Sequence, residues 1–125
     1  MSSFYSEDTI AAISTPMGSG GIGIIRISGP EAFATAKKLF RASLSFSREA
    51  SGEVFDKLPS HSLKHGYAVN PDTEEVLDEC LFGKMCGPST YTCEDVVEIN
   101  CHGGMAVMKS ILQILFSFRY FRAMI

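Results

Sequence analysis

The sequence has no tryptophan, no CxxC pair and no uninterrupted apolar run of membrane-spanning length. Its longest uncharged stretch, residues 9–25, carries Pro16 and four glycines, whereas a spanning helix needs ~20 predominantly apolar residues. The opening Met-Ser-Ser-Phe-Tyr-Ser-Glu-Asp has neither the basic start nor the apolar core of a secretion signal. Cys80, Cys86, Cys93 and Cys101 are separated by five, six and seven residues. Zinc sites are usually built on tighter pairs, so no metal is expected, and the thiols are expected to be free in the cytoplasm. Eleven Lys and Arg against 14 Asp and Glu leave a net charge of −3, which offers no general basic surface to nucleic acid. No G-x-x-x-x-G-K-[ST] loop occurs, which excludes P-loop nucleotide hydrolysis by these residues.

What is present suits one globular domain: 125 residues, 46% of them apolar. Residues 8–15 are short and β-branched and read as a strand, broken by Pro16-Met-Gly-Ser-Gly-Gly21. Residues 22–28 predict a second strand, with Ile25 and Ile27 on one face and Ile24, Arg26 and Ser28 on the other. From Glu31 the period changes: Phe33, Ala36, Leu39 and Phe40 recur at helical spacing, with Lys37 and Lys38 late. Residues 41–60, with five serines, a glycine and a proline, read as a surface loop that packs down in places through Phe46, Val54, Phe55 and Leu58.

Residues 61–69 and 76–85 predict two strands joined by the turn Asn70-Pro-Asp-Thr73, and 86–94 a loop. Residues 96–101 form a fifth strand, and Gly103-Gly104 opens a helix. Its stripe of Met105, Met108, Leu112 and Leu115, flanked by Val107, Ile111 and Ile114, must be buried against a sheet or a partner. The apolar tail from Phe116 to Ile125 could be a last strand, and its lack of a polar cap suggests that further elements are missing.

Three groups of residues could carry chemistry. Gly18-Ser-Gly20-Gly21-Ile-Gly23 matches G-x-G-x-x-G in form, but a dinucleotide site needs a helix starting within the motif and an acidic residue ~20 positions on. Here a strand follows and residues 41–45 hold no carboxylate, so a glycine-rich connection, or bare backbone that a ligand can approach, explains it better. In Asp95-Val-Val-Glu98-Ile-Asn100-Cys-His102, alternation places Val97, Ile99 and Cys101 on the core face and Glu98, Asn100 and His102 on the other. A solvated strand face accounts for those polar residues plainly. The alternative is a polar pocket wall with Glu98 as acceptor for a paired N–H edge. Arg26 is either an edge arginine reaching solvent or the partner of Glu98 or an anionic ligand. His61 and His65 read as surface residues.

Asp8-Thr-Ile-Ala-Ala-Ile with Thr15-Pro, Gly20-Gly-Ile-Gly-Ile-Ile-Arg26-Ile-Ser-Gly-Pro30, and Tyr91-Thr-Cys-Glu-Asp-Val-Val-Glu98-Ile-Asn-Cys-His-Gly-Gly104 resemble the N-terminal domain of the MnmE (TrmE) tRNA modification GTPases. The resemblance runs in three blocks from about residue 8 to 115. It implies an α+β folate-binding fold like that of the glycine-cleavage aminomethyltransferase (T-protein), and a domain that mediates homodimerisation in the cytoplasm. It further implies 5-formyl-tetrahydrofolate or another tetrahydrofolate derivative as ligand, with Arg26 and Glu98 as contacts and Gly20, Gly21, Asn100 and His102 as secondary candidates. In the family the one-carbon unit serves modification of the tRNA wobble uridine at C5, with an MnmG-type flavoprotein as partner. GTP, K+ and Mg2+ belong to a separate G domain.

Residues 119–125 depart from the family pattern, and a later basic folate contact, the helical domain and the G domain are absent from these 125 residues. The chain is therefore expected to be this domain, incomplete at its C-terminal end, without GTPase activity alone and with weakened folate binding. The competing expectation is a truncated remnant with no function; a dinucleotide-binding domain is a distant third.

Overall fold

The computed structural model describes residues 9–15, 21–88 and 94–118. Strand β1 (Ile10–Thr15) pairs antiparallel with β2 (Gly23–Ser28), and helix α1 (Ala32–Leu39) follows. A two-residue strand β3 (Phe40–Arg41) leads to helix α2 (Arg48–Asp56). Strands β4 (Ser62–Val69), β5 (Val76–Met85) and β6 (Val96–Cys101) precede helix α3 (Met105–Phe116). All neighbours are antiparallel in one six-stranded sheet of order β1-β2-β6-β5-β4-β3.

One face of this sheet is the core. Ile25 and Ile27 of β2, Val97 and Ile99 of β6 and Phe82 of β5 are fully buried with Ala32, Ala36 and Leu39 of α1, Phe55 of α2, and Met108, Ile111 and Leu115 of α3. All three helices therefore cover the same face, and among the described residues none covers the other. Alternation decides this: in β2 buried and half-buried residues strictly alternate, as the sequence pattern requires.

The segment expected to be a loop, residues 41–60, instead begins with the last residue of β3 and contains α2. Its serines are structural rather than loop-like. Ser47 is the N-cap of α2, its side chain accepting the Ala50 N–H at 3.0 Å. Ser51 is buried and accepts the Ala42 N–H at 3.0 Å. Phe55 packs edge-on against Phe33 and Phe40, with ring centroids 5.8 Å apart in both pairs. The far end of α2 is closed by Lys84, which reaches through the core from β5 to donate to the carbonyls of Phe55 (2.9 Å) and Asp56 (3.1 Å).

The other expected elements are present with small shifts. The turn after β4 is built by Asn70, whose side-chain oxygen accepts the N–H groups of Asp72 and Thr73. Helix α3 starts after Gly104, whose φ of 96° favours glycine, and its buried stripe is Met108, Ile111 and Leu115. Ile111 rather than Leu112 is at the centre, Met105 and Leu112 are half-buried, and the stripe lies on the chain's own sheet. Phe116 is the last residue of α3, not the start of a strand, and residues 119–125 lie outside the described ones. Because β3 intervenes, residues 96–101 form the sixth strand rather than the fifth. Among the described residues no helix is long and apolar enough to cross a membrane.

Candidate functional site

The helix-free face of the sheet carries a row of residues running across four strands. Arg26 of β2 stands directly opposite Glu98 of β6, Glu98 opposite Gly83 of β5, and Gly83 opposite Leu63 of β4. Arg26 donates from Nε to Glu98 Oε2 at 3.0 Å, and its Nη2 closes an ion pair on the same oxygen. Their side chains are 40% and 24% exposed, and a half-solvated cross-strand pair contributes only about 0.2–1 kcal/mol. The pair is thus of little consequence for stability. Its effect is orientation: one carboxylate oxygen is clamped, and Oε1 has no hydrogen bond among the described residues.

Beside Glu98 the sheet face has a notch. Gly83 contributes no side chain, and a Cβ there would lie 3.2 Å from Leu63 Cδ2 and 3.9 Å from Glu98 Cβ. A cavity of about 190 Å³ opens at this position, lined by His61, Ser62, Leu63, Gly83, Met85 and Glu98. An oriented carboxylate at the edge of a partly apolar slot can accept a pair of N–H donors from a flat heterocycle. Sequence reasoning did not single out Gly83, Leu63 or Met85. A glycine inside a strand pattern was the available signal, since it often marks close approach of another group.

The remaining candidates are dispersed. Asn100 is on the same face one row further along, opposite Ile24 and Leu81, and donates from Nδ2 to the Leu81 carbonyl at 3.2 Å. His102 follows the end of β6, exposed, with Nδ1 3.0 Å from the Glu79 carbonyl oxygen. Gly21 has φ 75° and lies exposed just before β2, at the same end of the sheet as His102, while Gly20 lies outside the described residues. The strand β2, not a helix, follows the glycine-rich segment, so no row of helical N–H groups meets a pyrophosphate there. His61 and His65 are both exposed; His61 precedes β4, and His65 pairs with Glu79.

A family model described as "GTP-binding protein TrmE N-terminus" matches residues 9–123. The chain belongs to this family. Among curated relatives, the tRNA modification GTPase MnmE of Acetivibrio thermocellus is 54% identical over 110 residues, covering 88% of this chain and 22% of that protein. MnmE of Streptococcus suis is 52% identical over 108 residues, covering 86% and 21%. MnmE of Natranaerobius thermophilus is 51% identical over 112 residues, covering 90% and 22%. The chain thus spans about a fifth of the length of these relatives. As a TrmE N-terminal domain it has mixed α and β content on an antiparallel sheet, with Arg26 and Glu98 paired on the face that the helices leave open.

Proposed function

We propose that this TrmE N-terminal domain binds a reduced folate, 5-formyl-tetrahydrofolate or a close derivative, on the open sheet face, and that it self-associates as a module of a tRNA-modifying GTPase. The observation that carries the reading is the Glu98 carboxylate, clamped through Oε2 by Arg26, with no further hydrogen bond among the described residues, beside the Gly83 notch. These residues fit the ligand chemically. The aminopyrimidinone edge of a folate offers adjacent N–H donors that match a carboxylate, while its formyl and glutamate oxygens match a guanidinium. When bound, the folate supplies a one-carbon unit; Glu98 and Arg26 bind and orient it. Leu63 and Met85 provide apolar contact at the slot.

Self-association draws support from the same face, where Leu63 is 65% exposed on a sheet surface that no described helix covers. In the assembled cytoplasmic enzyme, the tRNA, the MnmG-type flavoprotein and the GTP-hydrolysing apparatus with its K+ and Mg2+ lie with other domains. A fold related to the glycine-cleavage aminomethyltransferase belongs to the same proposal.

Calorimetric titration of the 125-residue chain with 5-formyl-tetrahydrofolate, with sedimentation in parallel, tests both halves. Glu98→Ala is expected to lower affinity ten- to a hundredfold, the loss typical of a charge-assisted hydrogen bond worth ~1.5–3 kcal/mol. Binding that Glu98→Ala leaves unchanged would overturn the folate site, and a monomer at all concentrations would overturn self-association.

A further inference from the structure

On the opposite, helix-covered face a second cluster of chemistry-bearing side chains meets at one end of the sheet. The β5–β6 register pairs Leu81 with Asn100 and Phe82 with Ile99, and continuing it brings Cys80 opposite Cys101. Both cysteines are free, and both are buried in the core cluster, 1% and 0% exposed. Asp78, two residues before Cys80 on the same face, joins them: one ligand atom from each of Asp78, Cys80 and Cys101 lies within 4.8 Å of the other two.

The carboxylate is held firmly. Asp78 Oδ2 accepts the backbone N–H groups of His102 (2.7 Å) and Gly103 (3.1 Å) and faces the Cys80 thiol at 3.6 Å, while Oδ1 accepts the Glu79 N–H at 3.0 Å. Gly103 permits this closure, since a Cβ there would lie 3.2 Å from Asp78 Oδ1 and 2.8 Å from Val107 Cγ2. Backbone donors of this kind orient a ligating carboxylate without consuming all its lone pairs. Among the described residues no Lys or Arg pairs with Asp78. Two soft sulfur donors and an oriented carboxylate thus converge.

A tetrahedral zinc ion, with Zn–S about 2.3 Å and Zn–O about 2.0–2.2 Å, places its ligand atoms about 3.5–3.8 Å apart. Side-chain rotation within the cluster closes the remaining gap. A cavity of about 400 Å³, lined by His65, Asp78, Glu79, Cys80, Leu81 and His102, lies at this same end of the sheet.

We propose that Asp78, Cys80 and Cys101 form a binding site for a thiophilic divalent cation, Zn2+ or its analogue Cd2+, with a water molecule as the fourth ligand. Binding forms two metal–sulfur bonds and one metal–oxygen bond and releases the two thiol protons to solvent, with no change of oxidation state. The site shares no residue with the Arg26–Glu98 pair, so each reading stands or falls alone.

The test is titration of the full 125-residue chain, reduced with a phosphine and desalted, with Cd2+ while following the thiolate-to-metal absorption in the near ultraviolet. Zn2+ is then counted by competition with a chromophoric chelator. One equivalent is expected, lost in Cys80→Val and Cys101→Val, weakened at least tenfold in Asp78→Asn, and kept when Cys86 and Cys93 are both replaced by serine. If a core variant fails to fold, alkylation of the wild-type chain with peptide mapping, in urea near its unfolding midpoint where the metal-free core thiols react, reads the site directly: bound metal should slow the labelling of Cys80 and Cys101. No uptake by the reduced wild-type chain overturns the proposal. So does protection that maps to Cys86 and Cys93, or a Cys80–Cys101 disulfide forming in air in a chain that takes up no cation.

Discussion

Gly83 lies directly across the β5–β6 ladder from Glu98, and its missing side chain is what leaves the cavity of about 190 Å³ beside the carboxylate. The fold itself does not require glycine at this point: no backbone atom lies closer to a Cβ there than the Glu98 carbonyl at 3.7 Å. The nearer contact, Leu63 Cδ2 at 3.2 Å, is the end of an exposed, movable side chain.

Gly83→Val is therefore expected to preserve the fold, with a melting temperature within a few degrees of wild type, and to fill the slot. Folate affinity should fall at least tenfold, whereas Gly83→Ala should cost less because Leu63 can swing aside. Thermal melts and calorimetric titration of the two variants check this. A Gly83→Val chain that melts normally and binds as the wild type does would remove the slot from the site.

Gly66 is the opposite case. A Cβ at this position in β4 would lie 2.6 Å from Phe40 Cε1 and 2.8 Å from the Arg41 backbone oxygen. Phe40 is fully buried between Phe55 and Phe82 and cannot yield easily. Gly66→Ala should destabilise the domain by about 1–3 kcal/mol, the usual cost of overpacking, read as a lower midpoint in urea. An unchanged midpoint would mean that β3 can move away from β4.

The alternation of Ile25 and Ile27 against Arg26, and of Val97 and Ile99 against Glu98, was legible because strand side chains have a period of two. Which residues stand side by side was not, because register arises from pairing between distant segments. Arg26 opposite Glu98 joins positions 72 apart, and Cys80 reaches Cys101 only through the β5–β6 ladder. The cysteine spacing alone argued against any metal for that reason. Helix α2 was missed because Ser47 and Ser51 resemble loop residues in composition, while in the fold one caps the helix and the other satisfies the Ala42 N–H.

Lys84 tests how α2 is held. It is 6% exposed, donates to the Phe55 and Asp56 carbonyls, and lies over the rings of Phe33 and Phe55 at 5.3 and 5.1 Å. Lys84→Met keeps the apolar stem but leaves the last carbonyls of α2 without this donor. A loss of about 1–2 kcal/mol is expected, with faster amide exchange at the end of α2. Stability equal to wild type would show that solvent replaces the ammonium at no cost.

Cys80 gives the domain a pH dependence of predictable sign. The neighbouring Cys101 thiol, followed by burial and the nearby Asp78, pushes the Cys80 thiol far above the ordinary range. In the unfolded chain the same thiol ionises near pH ~8.5. The folded state therefore holds a proton that the unfolded state releases, so the stabilisation is complete below ~8.5 and declines as pH rises above it. For one thiol the slope is about 1.4 kcal/mol per pH unit. Urea midpoints of the metal-free chain, kept in a chelator from pH 7 to 10, should fall more steeply in the wild type than in Cys80→Val, which lacks the titrating group. Parallel curves would show that Cys80 ionises in the folded protein as easily as in the unfolded one, and that its environment is wetter than its burial implies.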